Sequence, residues 1–242
     1  MTIAKLLGRH APSLLAMLKM VKNGQFELVP PRVTHAPKNL HEFIKSRFGS
    51  SPGVFFEVGA NDGLTQSNTA YLERYCGWSG ILVEAIPHKY VECRENRPDS
   101  TIFHAALVSA EYDLPYVPIR YSNLMSVIAH ASDADVEAHL GVGHAFLKNE
   151  TALSGETFFA PARTATDVIL ESGFERIDLF SLDVEGAEMD VLAGIDFEKV
   201  RPRAFIIEAR NINRITNFLA QKGYTHEQQL THHDHLFFDS KA

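Results

Sequence analysis

Two cysteines, Cys76 and Cys93, are all that the 242 residues contain, and no CxxC spacing joins them. That scarcity argues against a disulfide-stapled secreted scaffold and for ordinary buried thiols in a reducing, cytoplasmic setting. Long apolar runs are lacking too: none approaches the roughly 20 residues that cross a bilayer. Leu14-Leu15-Ala16-Met17-Leu18 ends at Lys19 with no small-x-small cleavage site after it, so a signal peptide is not expected. Basic residues are the minority, 23 Lys and Arg against 30 Asp and Glu, for a formal net charge of −7. That balance argues against nonspecific nucleic-acid binding through a basic surface. Internal repeats and low-complexity tracts are absent. What is present, 45% hydrophobic and 22% charged residues, fits a globular protein with one substantial α/β core.

Ile3, Leu6, Leu7, Leu14, Met17, Leu18 and Val21 suggest one or two short amphipathic helices, broken near Pro12. These would pack on the domain or on a second copy of the chain as a homodimer contact; attachment to a membrane surface is the alternative. Pro30-Pro31 and Pro37 mark a connector, and residues 41–48 read as a helix with Gly49 past its end. Residues 1–50 are therefore read as a helical leader and connector, and residues 51–242 as the main domain.

From Val54 onward apolar strands alternate with helical segments, which predicts a mostly parallel sheet with helices on both faces. The strands read are 54–58, 80–85, 101–108, 177–184 and 204–209, followed by 224–230 and 235–239. The last two are joined by so few residues that they must pair antiparallel. Residues 111–161 break the rhythm with Pro115, Pro118, Gly141, Gly143, Gly155 and Pro161, and with a helical stretch around 133–140. An excursion of that length between core elements reads as a lid or substrate-binding segment.

The most informative stretch is Val54 to Gly63, a buried-strand pattern apolar except for Glu57 that runs into a turn of small and polar residues. A glycine-containing turn between strand and helix brings backbone N–H groups close to an anionic ligand. An acid within an apolar strand end needs a partner, because a buried unpaired carboxylate is costly. A ligand with both an ammonium and a carboxylate, such as S-adenosylmethionine, would meet both demands. The second strand also ends in an acid, Glu84, which at that place in an open sheet can accept two ribose hydroxyls. The G-x-G-x-x-G fingerprint of dinucleotide sites is absent, which disfavours the rival reading of a nucleotide-dependent oxidoreductase. Glu57 as an ion-pair partner and Glu84 as a helix cap are the structural alternatives.

Phe56-Glu57-Val58-Gly59-Ala60-Asn61-Asp62-Gly63, Ser67-Asn68-Thr69, Gly80-Ile81-Leu82-Val83-Glu84 and Ser181-Leu182-Asp183-Val184-Glu185-Gly186-Ala187-Glu188 resemble the FkbM family of S-adenosylmethionine-dependent methyltransferases. The similarity runs from about residue 53 to 238 and is least in 111–161. Where typical members carry Pro-Asn-Pro after the second acidic strand, this chain has Ala85-Ile86-Pro87. The resemblance implies a Rossmann-like class I fold with seven strands, the last one antiparallel. It also implies a cofactor site of Glu57, Gly59, Ala60, Asn61, Asp62, Gly63 and Ser67 around the methionine moiety. Glu84 would hold the ribose, Ala106 and its neighbours would border adenine, and Asp183 would lie beside the donor. Ser67 is expected to open the first helix.

Asp183 and Glu208 end successive apolar strands, and the turn Thr231-His232-His233-Asp234-His235 should reach the same sheet edge. Removing a hydroxyl proton during methyl transfer calls for a positioned base or a divalent cation. The candidates are Asp183, His233 and His235 as catalytic groups, and Asp183, Glu208 and His233 as ligands of a divalent metal. A solvated histidine turn with neither role is the third option. The reading is a cytoplasmic methyltransferase acting on a hydroxyl of a small molecule, a sugar or glycan, with no nucleic acid and no membrane span. A non-catalytic cofactor-binding module is the other alternative.

Overall fold

Apolar runs such as Val54-Phe55-Phe56 and Ile81-Leu82-Val83 leave a strand no polar face, so both sides must be covered. The computed structural model describes residues 44, 46–48, 51–122, 127–128 (backbone only), 156–209 and 211–241, all within the unit Thr34–Ala242. Its main sheet has seven strands in the order β10-β11-β9-β8-β1-β2-β3. These are β1 (Val54–Val58), β2 (Ser79–Glu84), β3 (Thr101–His104), β8 (Leu179–Leu182), β9 (Ala204–Glu208), β10 (Tyr224–Gln229) and β11 (Asp234–Asp239). β11 runs antiparallel to both its neighbours, whereas the pairs among β3, β2, β1, β8 and β9 are parallel. The expected α/β architecture, with its mostly parallel sheet and antiparallel last strand, is the observed one.

The period of two along each strand divides the core into two layers. Phe56, Val58, Ile81, Val83, Phe180, Leu182, Phe205, Ile207 and Phe237 form one layer. Helices α3 (Ala165–Ser172), α4 (Glu188–Ala193) and α5 (Ile212–Gln221) cover it through Val168, Ile169, Val191, Leu192, Ile215 and Leu219. Phe55, Leu82, Leu179, Ile206 and Leu236 form the other layer. Leu72 of α1 (Ala70–Cys76), Cys93 of α2 (Pro87–Asn96), Trp78 and Ile44 pack on it. Both cysteines are free thiols. No helix among the described residues is long and apolar enough to cross a membrane.

Two expectations need correction. Residues 101–108 are not one strand: β3 stops at His104, and β4 (Ala106–Leu107) joins a second sheet in the order β4-β7-β5-β6. The switch occurs at Ala105, whose N–H donates to the Glu84 carbonyl at 3.2 Å, while Val108 N–H already donates to Arg163 at 2.9 Å. The helix after β1 begins at Ala70, not Ser67. The Ser67 hydroxyl accepts the Thr69 and Ala70 N–H groups at 3.3 and 3.0 Å, a local competition that holds the chain out of helix for one more turn.

Of the 111–161 excursion, the described ends pair with each other. β5 (Tyr116–Arg120) lies antiparallel to β7 (Thr157–Arg163) and to β6 (Val127–Ile128), and buries Val117, Ile119 and Ala160. The helix expected around 133–140 lies outside the described residues, as does the 1–50 leader apart from 44 and 46–48, which are helical.

At the edge where the parallel strands begin, Asp178 ties three of them together. Its buried carboxylate accepts Val54 N–H at 2.9 Å and Arg203 Nη1 at 3.1 Å, and Arg176 Nε stands 3.1 Å away. Both arginines are largely exposed, so screening limits the Coulomb part. The backbone bond into a buried edge matters more. Asp178→Ala is expected to lower unfolding free energy by about 1.5–3 kcal/mol, read from the urea midpoint at unchanged slope.

Candidate functional site

The chain runs outward from β1 through β2 to β3, then returns to β8 on the other side of β1. Such a reversal opens a crevice at the carboxyl ends of the strands. A cleft with about 980 Å³ of empty space, part of it open to solvent, lies there.

Its floor is the turn after β1. Gly59 and Ala60 both donate to the Val83 carbonyl at 3.1 Å, which folds the turn onto the end of β2. Gly59 has φ +86°, and a Cβ there would stand 1.8 Å from the Asp183 carbonyl oxygen, so only glycine fits. Asp62 faces its own loop: Oδ1 accepts Leu64 and Thr65 N–H at 2.9 and 2.7 Å, and Oδ2 accepts the Thr65 hydroxyl at 2.7 Å. Gly59, Asn61 and Ser67 line the cleft, whereas Ala60, Asp62 and Gly63 shape the turn from behind.

Glu57 is buried, and the protein itself supplies its partners. Oε2 accepts the hydroxyls of Ser67 and Thr69 at 2.8 and 2.5 Å, and Oε1 accepts Asn68 N–H at 3.0 Å. The Arg97 guanidinium stands 3.9 Å from Oε2. The expectation that this buried acid would lack a partner without a ligand is therefore corrected: two hydroxyls and an amide N–H of the fold itself already bond it. Glu57 still borders the cleft.

Glu84, at the end of β2, accepts Asn61 N–H on Oε2 and Ile86 N–H on Oε1, each at 2.7 Å. Burial pushes this carboxyl above its ordinary value, while those backbone donors and Lys89 pull it down. Each oxygen of a carboxylate has two lone pairs, so one on each remains beyond the backbone bonds. Around Glu84 the cleft wall is apolar, made by Ile86, Ala105, Ala106, Leu107 and Ile119. Ala85-Ile86-Pro87 keeps the turn, with Ile86 capping Glu84 and Pro87 opening α2.

Asp183 lines the opposite wall and donates its N–H to the Val58 carbonyl at 3.1 Å. Its Oδ1 is buried without a hydrogen-bond donor. Burial pushes the Asp183 carboxyl well above the ordinary aspartate range, and the neighbouring Glu208, Glu185 and Glu188 push it further. Its carboxyl also reaches that of Glu208, a contact that bonds only when one of the two carries a proton. The expectation that Asp183 and Glu208 meet is thus met by the structure. Glu185, at φ +53°, lines the cleft, and Glu188 accepts Gly186 N–H at 2.8 Å.

The histidines do not join this pair. Asp234 pairs with Glu208 and His235 with Ile207, so the period of two sends His235 to the other face of the sheet. There it is buried beside His226, ring nitrogens 3.2 Å apart, and burial followed by His226 holds it below the ordinary histidine value. His233 is exposed, its ring 4.5 Å from that of His232, and neither His233 nor His235 lines the cleft. Among the described residues no group of three or more His, Cys, Asp or Glu is placed to hold a metal ion. The proposed set Asp183, Glu208 and His233 is corrected to the acid pair alone.

Several cleft residues were not singled out from the sequence: Thr65, Gln66, Asn68 and Ser181 among the polar ones. Asn68 Nδ2 donates to Ser181 Oγ at 3.0 Å, bridging the helix-side loop and β8. Both stand inside motifs quoted above, and Ser181 could have been found from the period of two, which puts it on the same face as Asp183.

Residues 57–226 match a family model described as "Methyltransferase FkbM domain". No curated protein matches the chain. Similar solved structures include a ribosomal protein L11 methylase from Lactobacillus delbrueckii subsp. bulgaricus, 12% identical, covering 83% of this chain and 76% of its own, with a TM-score of 0.41. A methyltransferase from Geobacter sulfurreducens is 10% identical over 94% of this chain and 87% of its own, TM-score 0.42. A methyltransferase from Pyrococcus furiosus is 13% identical over 96% and 98%, TM-score 0.35.

Proposed function

The chain belongs to the FkbM methyltransferase family, and from that premise we propose that it methylates a hydroxyl oxygen of a sugar or specialised metabolite, with S-adenosylmethionine as methyl donor. The observation that carries the reading is the meeting of Glu84 and a donorless buried Asp183 in one cleft. The donor set fits the cofactor. Glu84 keeps one lone pair per oxygen for two ribose hydroxyls, and Ile86, Ala105, Ala106, Leu107 and Ile119 offer an apolar wall to a flat base. Gly59, Asn61, Ser67 and Asn68 would take the amino-acid end.

When bound, the donor supplies a methyl group on a positively charged sulfur, open to in-line attack by a nucleophile. The acceptor hydroxyl is too weak an acid to lose its proton unaided, so a base must take the proton as the new bond forms. Asp183 is our choice for that base. Its raised pKa makes the carboxylate a stronger proton acceptor than an exposed aspartate, and Glu208 beside it lets the pair keep the proton until product leaves.

The cofactor reading is tested by isothermal titration with S-adenosylmethionine, S-adenosylhomocysteine and NADH. Saturable binding of the first two and none of NADH is expected. Tight NADH binding with neither of the others would sink the proposal in favour of an oxidoreductase. Methyl transfer from labelled donor to a panel of hydroxylated sugars and metabolites then tests the acceptor class, and label appearing only on nitrogen would overturn the oxygen assignment.

A further inference from the structure

Arg97 is among the largest fully buried side chains, and it comes from outside every recognised motif. It follows α2 and reaches behind the turn that begins the cleft. Nη1 donates to the Gly63 carbonyl at 2.9 Å and to Ser67 Oγ at 3.3 Å. Nη2 donates to Thr69 Oγ1 at 3.1 Å, and Nε pairs with the Glu73 carboxylate. The guanidinium also lies 5.3 Å from the centre of the Phe55 ring. The two hydroxyls it engages, Ser67 and Thr69, are the same two that donate to Glu57.

Arg97, Ser67, Thr69 and Glu57 therefore form one closed network. It spans the start and end of the segment whose Thr65, Gln66, Ser67 and Asn68 face the cleft. Gln66 in that segment is held at φ +60°, a conformation an ordinary side chain rarely keeps without support. The opposite end of the cleft, at Glu84 and Ala105 to Leu107, receives no hydrogen bond from Arg97.

We propose that Arg97 is a positioning residue that sets the grip of residues 65–68 on the amino-acid end of the methyl donor without touching it. The proposal rests on reading the cleft as a methyl-donor site. Glu57 is then an internal strut for this segment. The planar fork of arginine suits four acceptors spread around it, whereas a lysine could serve only part of the set from a single nitrogen.

The test is calorimetric binding of S-adenosylhomocysteine and of 5′-methylthioadenosine, which keeps the nucleoside and thioether but lacks the amino-acid part. Arg97→Lys should weaken S-adenosylhomocysteine roughly 10–100-fold, the scale of one or two lost hydrogen bonds to charged groups. Binding of 5′-methylthioadenosine should change less than about threefold. Thr69→Val, nearly isosteric, removes one partner of Arg97 and one donor to Glu57, and should show the same split at roughly 3–10-fold. That variant carries the test where Arg97→Lys fails to fold. Equal losses for both ligands, or no loss for S-adenosylhomocysteine, would overturn the proposal. A parent protein that binds neither ligand would instead remove the donor reading beneath it.

Discussion

Asp183→Asn is expected to lower methyl-transfer turnover by about 10²–10⁴-fold, the range for loss of a general base, while making the protein more stable. Both effects come from one observation. Asp183 Oδ1 is buried without a donor, and its carboxyl stands against that of Glu208. An amide of the same shape cannot accept the acceptor's proton, but it gives Glu208 an N–H to bond. A buried hydrogen bond to a charged group, here amide N–H to the Glu208 carboxylate, contributes about 1.5–3 kcal/mol, and each kcal/mol moves Tm roughly 2–4 °C in a chain of this size.

The pH dependence follows with its sign. Asp183 is raised in the folded state by burial first and then by Glu208 and Glu185. Between the ordinary aspartate value and the raised one, the folded chain holds a proton that the unfolded chain has released. The contribution of Asp183 to stability is thus fully present below the unfolded pKa and is lost as pH rises through the folded pKa. Turnover should do the opposite, rising as Asp183 ionises. Parent and variant should accordingly differ most in Tm on the alkaline side, and the variant should lose the rising limb of the pH–rate profile. Undiminished turnover in Asp183→Asn would remove Asp183 as the base, whereas donor binding without any turnover in the parent would favour a non-catalytic binding module.

The sheet was legible because its strands announce themselves. Val54 to Phe56 and Ile81 to Val83 are apolar without a break, and the short link before β11 forces an antiparallel pair. The strand-end residues Gly59, Glu84 and Asp183 were legible for the same reason, since a strand's end fixes which edge it reaches. Register was not. Whether Glu208 opposes Asp234 or His235 depends on one residue in the intervening turn, and that residue decides which face each histidine takes. Contacts between distant segments were equally hidden. Arg97 lies 34 residues from Gly63, in no periodic pattern, and nothing in the sequence connects it to Glu57. The break at Ala105 is not legible because an apolar run looks the same whether it stays in one sheet or changes sheets.

Gly59→Ala is expected to abolish measurable binding of S-adenosylhomocysteine, a loss of at least about 100-fold, or roughly 2.7 kcal/mol. Two penalties combine at this position. The first is conformational: φ +86° costs an L-residue about 1–3 kcal/mol. The second is steric and larger in consequence, because the new Cβ would stand 1.8 Å from the Asp183 carbonyl oxygen, which is backbone and cannot rotate away. Relief requires β1 and β8 to part where Asp183 N–H bonds Val58, or the turn to lift from Val83. Either movement displaces the turn under the cleft and Asp183 together. Gly173 separates the two penalties: it has φ +79° at the end of α3, with open space around its would-be Cβ. Gly173→Ala should therefore show the conformational loss alone in its urea midpoint and bind S-adenosylhomocysteine like the parent. Equal behaviour of the two variants would mean that backbone strain, not the approach of Gly59 to Asp183, is what the first strand's glycine provides. A selective failure of Gly59→Ala would mean that one close contact between β1 and β8 aligns the methyl-donor turn with the base.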